Sequence, residues 1–212
     1  MVREALRAIE ADQPISAPCS ALIAAVRKEI DITTSLQCQG LVIRRELRPG
    51  DVEAIGDLHD RVYRNEYGAG EDWVYWERVR LEQHVARGWP RERALGSIWL
   101  VELDGALGGC LALVLRCPNV GNLDWFVLAP ELRGRGLGRW LVSALIDEAC
   151  ARGMETLKVE TFSALVAAAR IYREAGFRVV WERETDFYGR RVMHQVYELA
   201  LPPSVAQSSI SV

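Results

Sequence analysis

Between Val127 and Leu141 the chain reads VLAPELRGRGLGRWL, and few folds accept such a stretch. An apolar strand stops at Pro130, passes through alternate glycines flanked by arginines, and resumes as an amphipathic helix. Glycine at 134, 136 and 138 removes the side chains that would keep an anion off the backbone. A helix that starts among those glycines turns its unpaired N–H groups, and the positive end of its dipole, on the same spot. Arg133, Arg135 and Arg139 add charge suited to phosphate. Residues 133–139 therefore read as a pyrophosphate cradle at a strand-to-helix turn.

The rest of the chain supplies a frame for that turn. Leu41–Arg48 is strand-like and ends at Pro49-Gly50, after which Asp51 caps a helix with Val52, Ile55, His59, Val62 and Tyr63 on one side. Gly68-Ala69-Gly70 leads to a second helix over 72–86. Ile98–Val101 and Leu107–Leu115 flank Asp104-Gly105, a hairpin signal. Cys117-Pro118-Asn119 turns into a strand over Asn122–Leu128. The helix after the cradle, 137–151, carries Leu137, Leu141, Ala144 and Leu145 as an apolar stripe and ends at Gly153. A strand over 156–160, a helix capped by Ser163 and stopped by Gly176, and strands near 178–185 and 192–201 around Tyr188-Gly189 complete the order β-α-α-β-β-β-α-β-α-β-β. That order is α/β (α+β): a mixed sheet with helices on both faces. The expected division is a helical extension over 1–40, one domain over 41–201 and a loose tail over 202–212.

Composition narrows the function. A net charge of -3, with no basic run or stripe, argues against nucleic acid. No apolar stretch approaches the roughly 20 residues that span a bilayer, so no membrane role is expected. No apolar region follows a basic start at the N-terminus, so no secretory leader is expected. Cys19, Cys38, Cys110, Cys117 and Cys150 are scattered and lack C-x-x-C spacing, which implies reduced thiols in a cytoplasm and no zinc site. His59, His84 and His194 share no ligand spacing, so no metal is expected.

A nucleoside-triphosphate loop is rejected, because no Lys-Ser/Thr follows the glycines. A dinucleotide fold competes, since Glu160 ends the next strand roughly 20 residues on. Against it stand the G-x-G-x-G spacing and the single β-α unit that follows. The third reading is a resemblance. Arg133-x-x-Gly136-x-Gly138 after Leu128-Ala129-Pro130 resembles the acyl-CoA signature of the GNAT-type N-acetyltransferases. Ala168-x-x-Ile171-Tyr172-x-x-Ala175-Gly176-Phe177 is similar to that superfamily's C-terminal helix and turn. The likeness spans about residues 41–201. Leu47–Asp51, Glu66-Tyr67-Gly68 and Gln195–Leu199 look most like the acetyltransferase half of proteins that fuse a winged helix to such a domain. Residues 1–40 are too short for a winged helix, so no DNA-binding role is carried over.

The resemblance implies a mostly antiparallel sheet with a V-shaped split between two parallel strands, 122–128 and 156–160. It implies acetyl-CoA as cosubstrate, its pyrophosphate on the amides of Arg133, Gly134, Arg135, Gly136, Leu137, Gly138 and Arg139. Pantetheine would pair with backbone near Phe126, Val127 and Leu128. Transfer of an acetyl group to an amine needs a proton acceptor, an oxyanion donor and a donor to the leaving thiolate. Tyr172 matches the family's tyrosine and is the expected thiolate donor. Asp124 is the expected base, on a strand face shared by Asn122, Phe126 and Leu128, with Glu160 as second candidate. The helix position that holds a cofactor-binding asparagine in many relatives is Leu165 here, which cannot make that bond. Tyr63, Tyr67, Trp73, Tyr75, Trp76 and Trp89, with Glu66, Glu71 and Asp72, form an aromatic and acidic region, either a surface for a cationic amine or a bulky core. The expected acceptor is a small-molecule or peptide amine; a homodimer through the last strands is allowed. The rival reading keeps the fold as a non-catalytic acyl-CoA-binding regulatory or interaction module.

Overall fold

The computed structural model describes residues 40–90, 92 and 95–202, without the side chains of 71–74 and 76. The chain divides into two compact units, residues 1–42 and 43–212. The expected N-terminal extension and the tail beyond Pro202 lie outside the described residues. In chain order the elements are β1 (Leu41–Arg44), α1 (Asp51–Tyr67), α2 (Glu71–Ala86), β2 (Gly96–Leu103), β3 (Ala106–Cys117) and β4 (Val120–Leu128). A short 3-10 turn (Pro130–Leu132) leads to α3 (Leu137–Ala151), β5 (Thr156–Phe162), α4 (Val166–Glu174), β6 (Arg178–Phe187) and β7 (Arg190–Ala200). The seven strands form one sheet in the order β1-β2-β3-β4-β5-β7-β6. Every pairing from β2 onward is antiparallel except β4 with β5.

Apolar spacing decides which face each helix covers. Ile55, Leu58 and Val62 of α1 and Leu81 of α2 pack on Ile98, Leu100, Cys110, Ala112, Val114, Trp125 and Val127. On α3 the stripe Leu137, Leu141, Val142, Leu145 and Ala149 is buried, and that helix contacts β3 and β4. Both hairpin turns take the left-handed backbone their residues favour, at Asp104-Gly105 (φ 51 and 82) and Tyr188-Gly189 (φ 54 and 74).

Three local expectations change. β1 stops at Arg44, because the chain turns there to place Arg44 between Asp51 and Glu102, 2.7 Å from each. Asp51 is the first residue of α1 rather than its cap; Gly50 caps it at φ 88, and the Asp51 carboxylate accepts from Arg44 and from the Arg48 N–H. Ser163 does not cap α4, whose N-cap is Leu165; its hydroxyl accepts the Met193 N–H at 3.0 Å and ties the end of β5 to β7.

The fourth change matters most for function. Simple alternation along β4 fails at Trp125, which sits at φ 48. Cys110 faces Val127 while Ala112 faces Asp124, so β4 carries an extra residue there. Asp124 consequently shares the α1/α2 side with Trp125 and Val127, whereas Phe126 and Leu128 point toward the start of α3, against Gly138. The face expected to join Asp124, Phe126 and Leu128 does not exist.

Burial alone would raise the Asp51 carboxyl, but the Arg44 guanidinium and the Arg48 N–H outweigh it and hold it below its ordinary value. Replacing Asp51 by Asn should cost about 2 kcal/mol at pH 7, read by chemical denaturation. The contribution is complete above the unfolded value of about 4 and is lost as pH falls through the lower folded value, so the two proteins should converge once pH lies below it.

Candidate active site

The turn after β4 meets the geometric demands of an anion cradle. Gly134 (φ 77) and Gly136 (φ 80) hold left-handed backbone, and a Cβ on either would meet nothing within 4 Å. They are glycines for conformation, not for want of room inside the protein. Gly138 is the reverse: a Cβ there would lie 3.0 Å from Ile171 Cδ1 and 3.4 Å from Phe126 Cζ. The helical ladder begins with Trp140 N–H donating to Gly136 O, so the first-turn amides ahead of it have no partner inside the helix.

Arg133 departs from the expectation. Its N–H donates to Pro130 O at 3.1 Å, and its guanidinium donates to Leu128 O at 2.9 Å and to Glu66 at 2.7 Å. Its amide is spent within the 3-10 turn, and its charge braces the end of β4 against α1. The cradle therefore opens at Gly134. Arg139 is held by Glu174 at 2.6 Å, at the rim.

Pairing between β4 and β5 runs only from Val120↔Thr156 to Asn122↔Lys158, and beyond it the strands part. Two cavities fill the split. One, of about 210 Å³, runs from Tyr67 along Phe126, Val127 and Leu128 to Gly134–Arg139. The other, of about 430 Å³, is walled by α1, α2, β3, β4, β5, α4 and β7. They share Tyr63, Phe126, Leu165 and Ala168, so they meet where β4 and β5 diverge. Tyr172 stands at the larger cavity with its ring 6.2 Å from Phe126, 5.9 Å from Phe177 and 6.0 Å from Tyr197. Burial holds its phenol well above the ordinary value, with Tyr63 and Asp124 adding to the effect. Leu165 lines both cavities with an apolar side chain. Phe187, at the tip of the β6–β7 hairpin, packs on Phe162 at 4.4 Å and edge-on to Tyr67 at 6.4 Å, so the hairpin reaches back to α1.

Comparison with known proteins agrees with this layout. The model of the Acetyltransferase (GNAT) family matches residues 52–177, from α1 through the turn after α4. The chain belongs to the GNAT acetyltransferase family. An uncharacterised N-acetyltransferase of Archaeoglobus fulgidus is 24% identical over 139 residues, which cover 63% of this chain and 92% of that protein. The [ribosomal protein bS18]-alanine N-acetyltransferase of Salmonella typhimurium is 34% identical over 76 residues, 36% of this chain and only 51% of that relative. Among solved structures, an acetyltransferase from Salmonella typhimurium with its cofactor acetyl-CoA superposes at a TM-score of 0.60 with 21% identity, covering 78% of this chain and 96% of that one. This GNAT chain is thus an acyltransferase with a mixed α/β sheet of the same fold.

Its larger cavity holds charges that sequence reasoning did not bring together. Arg80 donates to Glu77 at 2.7 Å and to Asp124 at 3.1 Å, with its guanidinium 5.4 Å over the Trp125 ring. Arg116 Nη2 lies 3.6 Å from Asp124 Oδ2. Burial raises the Glu77 carboxyl, partly offset by Arg80. On the opposite wall His194 lies 3.5 Å from Glu160 and stacks on Phe162 at 5.1 Å. The i, i+3 spacing of Glu77 and Arg80 was the one signal for the pair; only the β4 bulge puts Asp124 beside them.

Of the aromatic region, Tyr63 lines both cavities, while Trp89 is a core residue, 1% exposed, whose indole N–H donates to Leu113 O at 3.1 Å. Tyr75 faces away from the core, 61% exposed, and the side chains of Glu71, Asp72, Trp73 and Trp76 lie outside the described residues. His84 packs edge-on to Trp125 at 5.3 Å, with Nδ1 2.8 Å from Arg80 O. Among the described residues no cluster of three or more potential metal ligands occurs, and no helix is long and apolar enough to cross a membrane.

His59 is buried beneath the cavity with Nδ1 2.9 Å from Ile55 O. Burial, aided by the charge of Arg80, lowers its pKa from 6.5 to about 4. Between those values the unfolded chain binds a proton that the folded chain refuses, so stability falls as pH drops from 6.5 toward 4. Denaturation of His59→Asn across that range should show a slope smaller by one proton, roughly 1.4 kcal/mol per pH unit at its steepest.

Proposed function

We propose that this acetyltransferase moves an acetyl group from acetyl-CoA to a primary amine by direct attack. The observation that carries the reading is the meeting of two cavities at the unpaired edges of β4 and β5. One cavity ends on bare amides and the other on ionisable side chains. The chain's residues fit the cosubstrate: the amides from Gly134 to Arg139 suit a pyrophosphate, and the open β4 edge at Phe126–Leu128 suits a peptide-like arm, which pairs as an added strand would. Bound there, acetyl-CoA supplies an acyl group on a thiol leaving group. Leu165 offers that arm only apolar contact.

Each remaining demand has a candidate in place. Unpaired amide on the β4 edge near Val127–Leu128 donates to the oxyanion. Tyr172 donates a hydrogen bond to sulfur; its elevated pKa means that it steadies a thiolate without surrendering its proton. The amine arrives as an ammonium and must shed a proton before its lone pair forms the C–N bond. Asp124 Oδ2, buried and accepting no hydrogen bond, is the proposed receiver. The C–S bond breaks with its electrons on sulfur, and the proton lost from nitrogen balances the thiol released. The relative named for alanine of ribosomal protein bS18 supports an amine as acceptor.

Calorimetry with acetyl-CoA and thiol release on a panel of amines test the reading. Wild-type protein should bind acetyl-CoA and release thiol only with an amine present. Gly138→Val, crowded against Ile171 and Phe126, should lose acetyl-CoA binding while keeping its circular dichroism. Tyr172→Phe should keep binding and lose about 10²-fold in kcat. Folded wild-type protein that gives no heat with acetyl-CoA overturns the proposal.

A further inference from the structure

The charges around Asp124 also bear on which amine is accepted, an argument that rests on the transfer reading above. Arg80 is already committed: its two terminal nitrogens are bound to Glu77 and Asp124, and its guanidinium lies over Trp125. Two members of the group are incompletely paired. The first is Asp124 Oδ2, which accepts no hydrogen bond. The second is the Arg116 guanidinium, whose side chain is 47% exposed and whose contact with that same oxygen is a loose 3.6 Å. Among the described residues Arg116 makes no hydrogen bond. A buried acceptor oxygen without a hydrogen bond and a half-exposed guanidinium thus stand side by side in the wall of one cavity.

A purely cationic amine is poorly served by this arrangement. Seated at Asp124 Oδ2, it would lie within a few ångströms of both Arg116 and Arg80, too close for salt to screen the repulsion. Glu160 on the opposite wall does not remove that conflict, since its carboxylate is 59% exposed and screened by solvent. A molecule with an anionic group a bond or two from its amine resolves it: the amine faces Asp124 and the anion faces Arg116, closing a square of alternating charge. Guanidinium suits a carboxylate or phosphonate because its planar fork binds two oxygens at once. A peptide N-terminus offers a neutral carbonyl at that position and leaves Arg116 unanswered. The cavity, at about 430 Å³, has room for an amino acid with its side chain.

We propose that the acceptor is a small zwitterion of the α-amino acid class, with Arg116 as the specificity-determining residue that takes its anionic group. The test compares free amino acids with their carboxamides and with alanyl peptides by thiol release. Variants are Arg116→Ala, Arg116→Lys and Arg116→Glu, and calorimetry with acetyl-CoA is run in parallel. Wild type should favour the free acid over the carboxamide by about tenfold or more in kcat/KM, expressed mainly in KM. The ratio should fall to within about twofold in Arg116→Ala, lie between in Arg116→Lys and invert in Arg116→Glu. A wild-type enzyme that binds acetyl-CoA yet takes carboxamides or alanyl peptides as readily as free acids overturns this inference while the transfer reading stands. So does an Arg116→Ala enzyme that keeps the wild-type ratio. Absence of acetyl-CoA binding, or of acetylation of every amine, fells the transfer reading and this inference with it.

Discussion

β4 and β5 stay hydrogen-bonded only from Val120 to Asn122, although β4 continues to Leu128 and β5 to Phe162. Each strand is anchored on its outer side for longer: β4 to β3 through Leu128, β5 to β7 through Phe162. Two well-held half-sheets therefore splay from a short hinge of parallel pairing, and the backbone edges that face each other are left to other partners. Buried peptide groups without partners are costly, so such an edge persists where solvent or a ligand can meet it. The bulge at Trp125 exploits the gap: it sends Asp124 and Trp125 to the helical side and Phe126 and Leu128 to the other. One strand thus lines both cavities, with Phe126 common to the two.

The glycine turn obeys a division of labour of the same kind. Gly134 and Gly136 permit the left-handed bends that swing the chain from the end of β4 into α3, and Gly138 lets that helix start pressed against Ile171 and Phe126. Arg133 stiffens the arrangement by joining the last β4 carbonyl to Glu66 of α1. The turn's shape is therefore set by backbone conformation and packing, with the arginine acting as a brace.

Much of this was legible beforehand, because it is local. Turn residues such as Asp104-Gly105 and Tyr188-Gly189, the apolar stripe of α3 and the glycine spacing each fix their own neighbourhood, and element order followed. The acyl-CoA reading of residues 133–139 rested on resemblance to a family, and the match over 52–177 bears out the family. Non-local outcomes were not legible. Strict alternation placed Asp124 with Phe126, since nothing in Asn122–Leu128 announces that Trp125 will adopt positive φ. Ser163 looked like a helix cap because capping and strand-tying use the same hydroxyl, and its partner Met193 is remote in sequence. The grouping of Glu77, Arg80, Asp124 and Arg116 draws on α2, β3 and β4, and pattern reasoning within one segment cannot assemble it.

That grouping is physically demanding. Taking several charges out of water costs more than their mutual attraction returns unless each is well bonded, and replacement by apolar side chains is often neutral or stabilising. Arg80 satisfies the requirement for itself and for one oxygen of Asp124, leaving Oδ2 and Arg116 incompletely answered. A fold has no structural need of such a remainder, so its retention at a cavity mouth argues for a ligand that completes it. Tyr172 is its counterpart in the same cavity: a buried phenol that keeps its proton. The incoming amine would lose charge on the helical side of β4 while the departing thiolate gains it on the other.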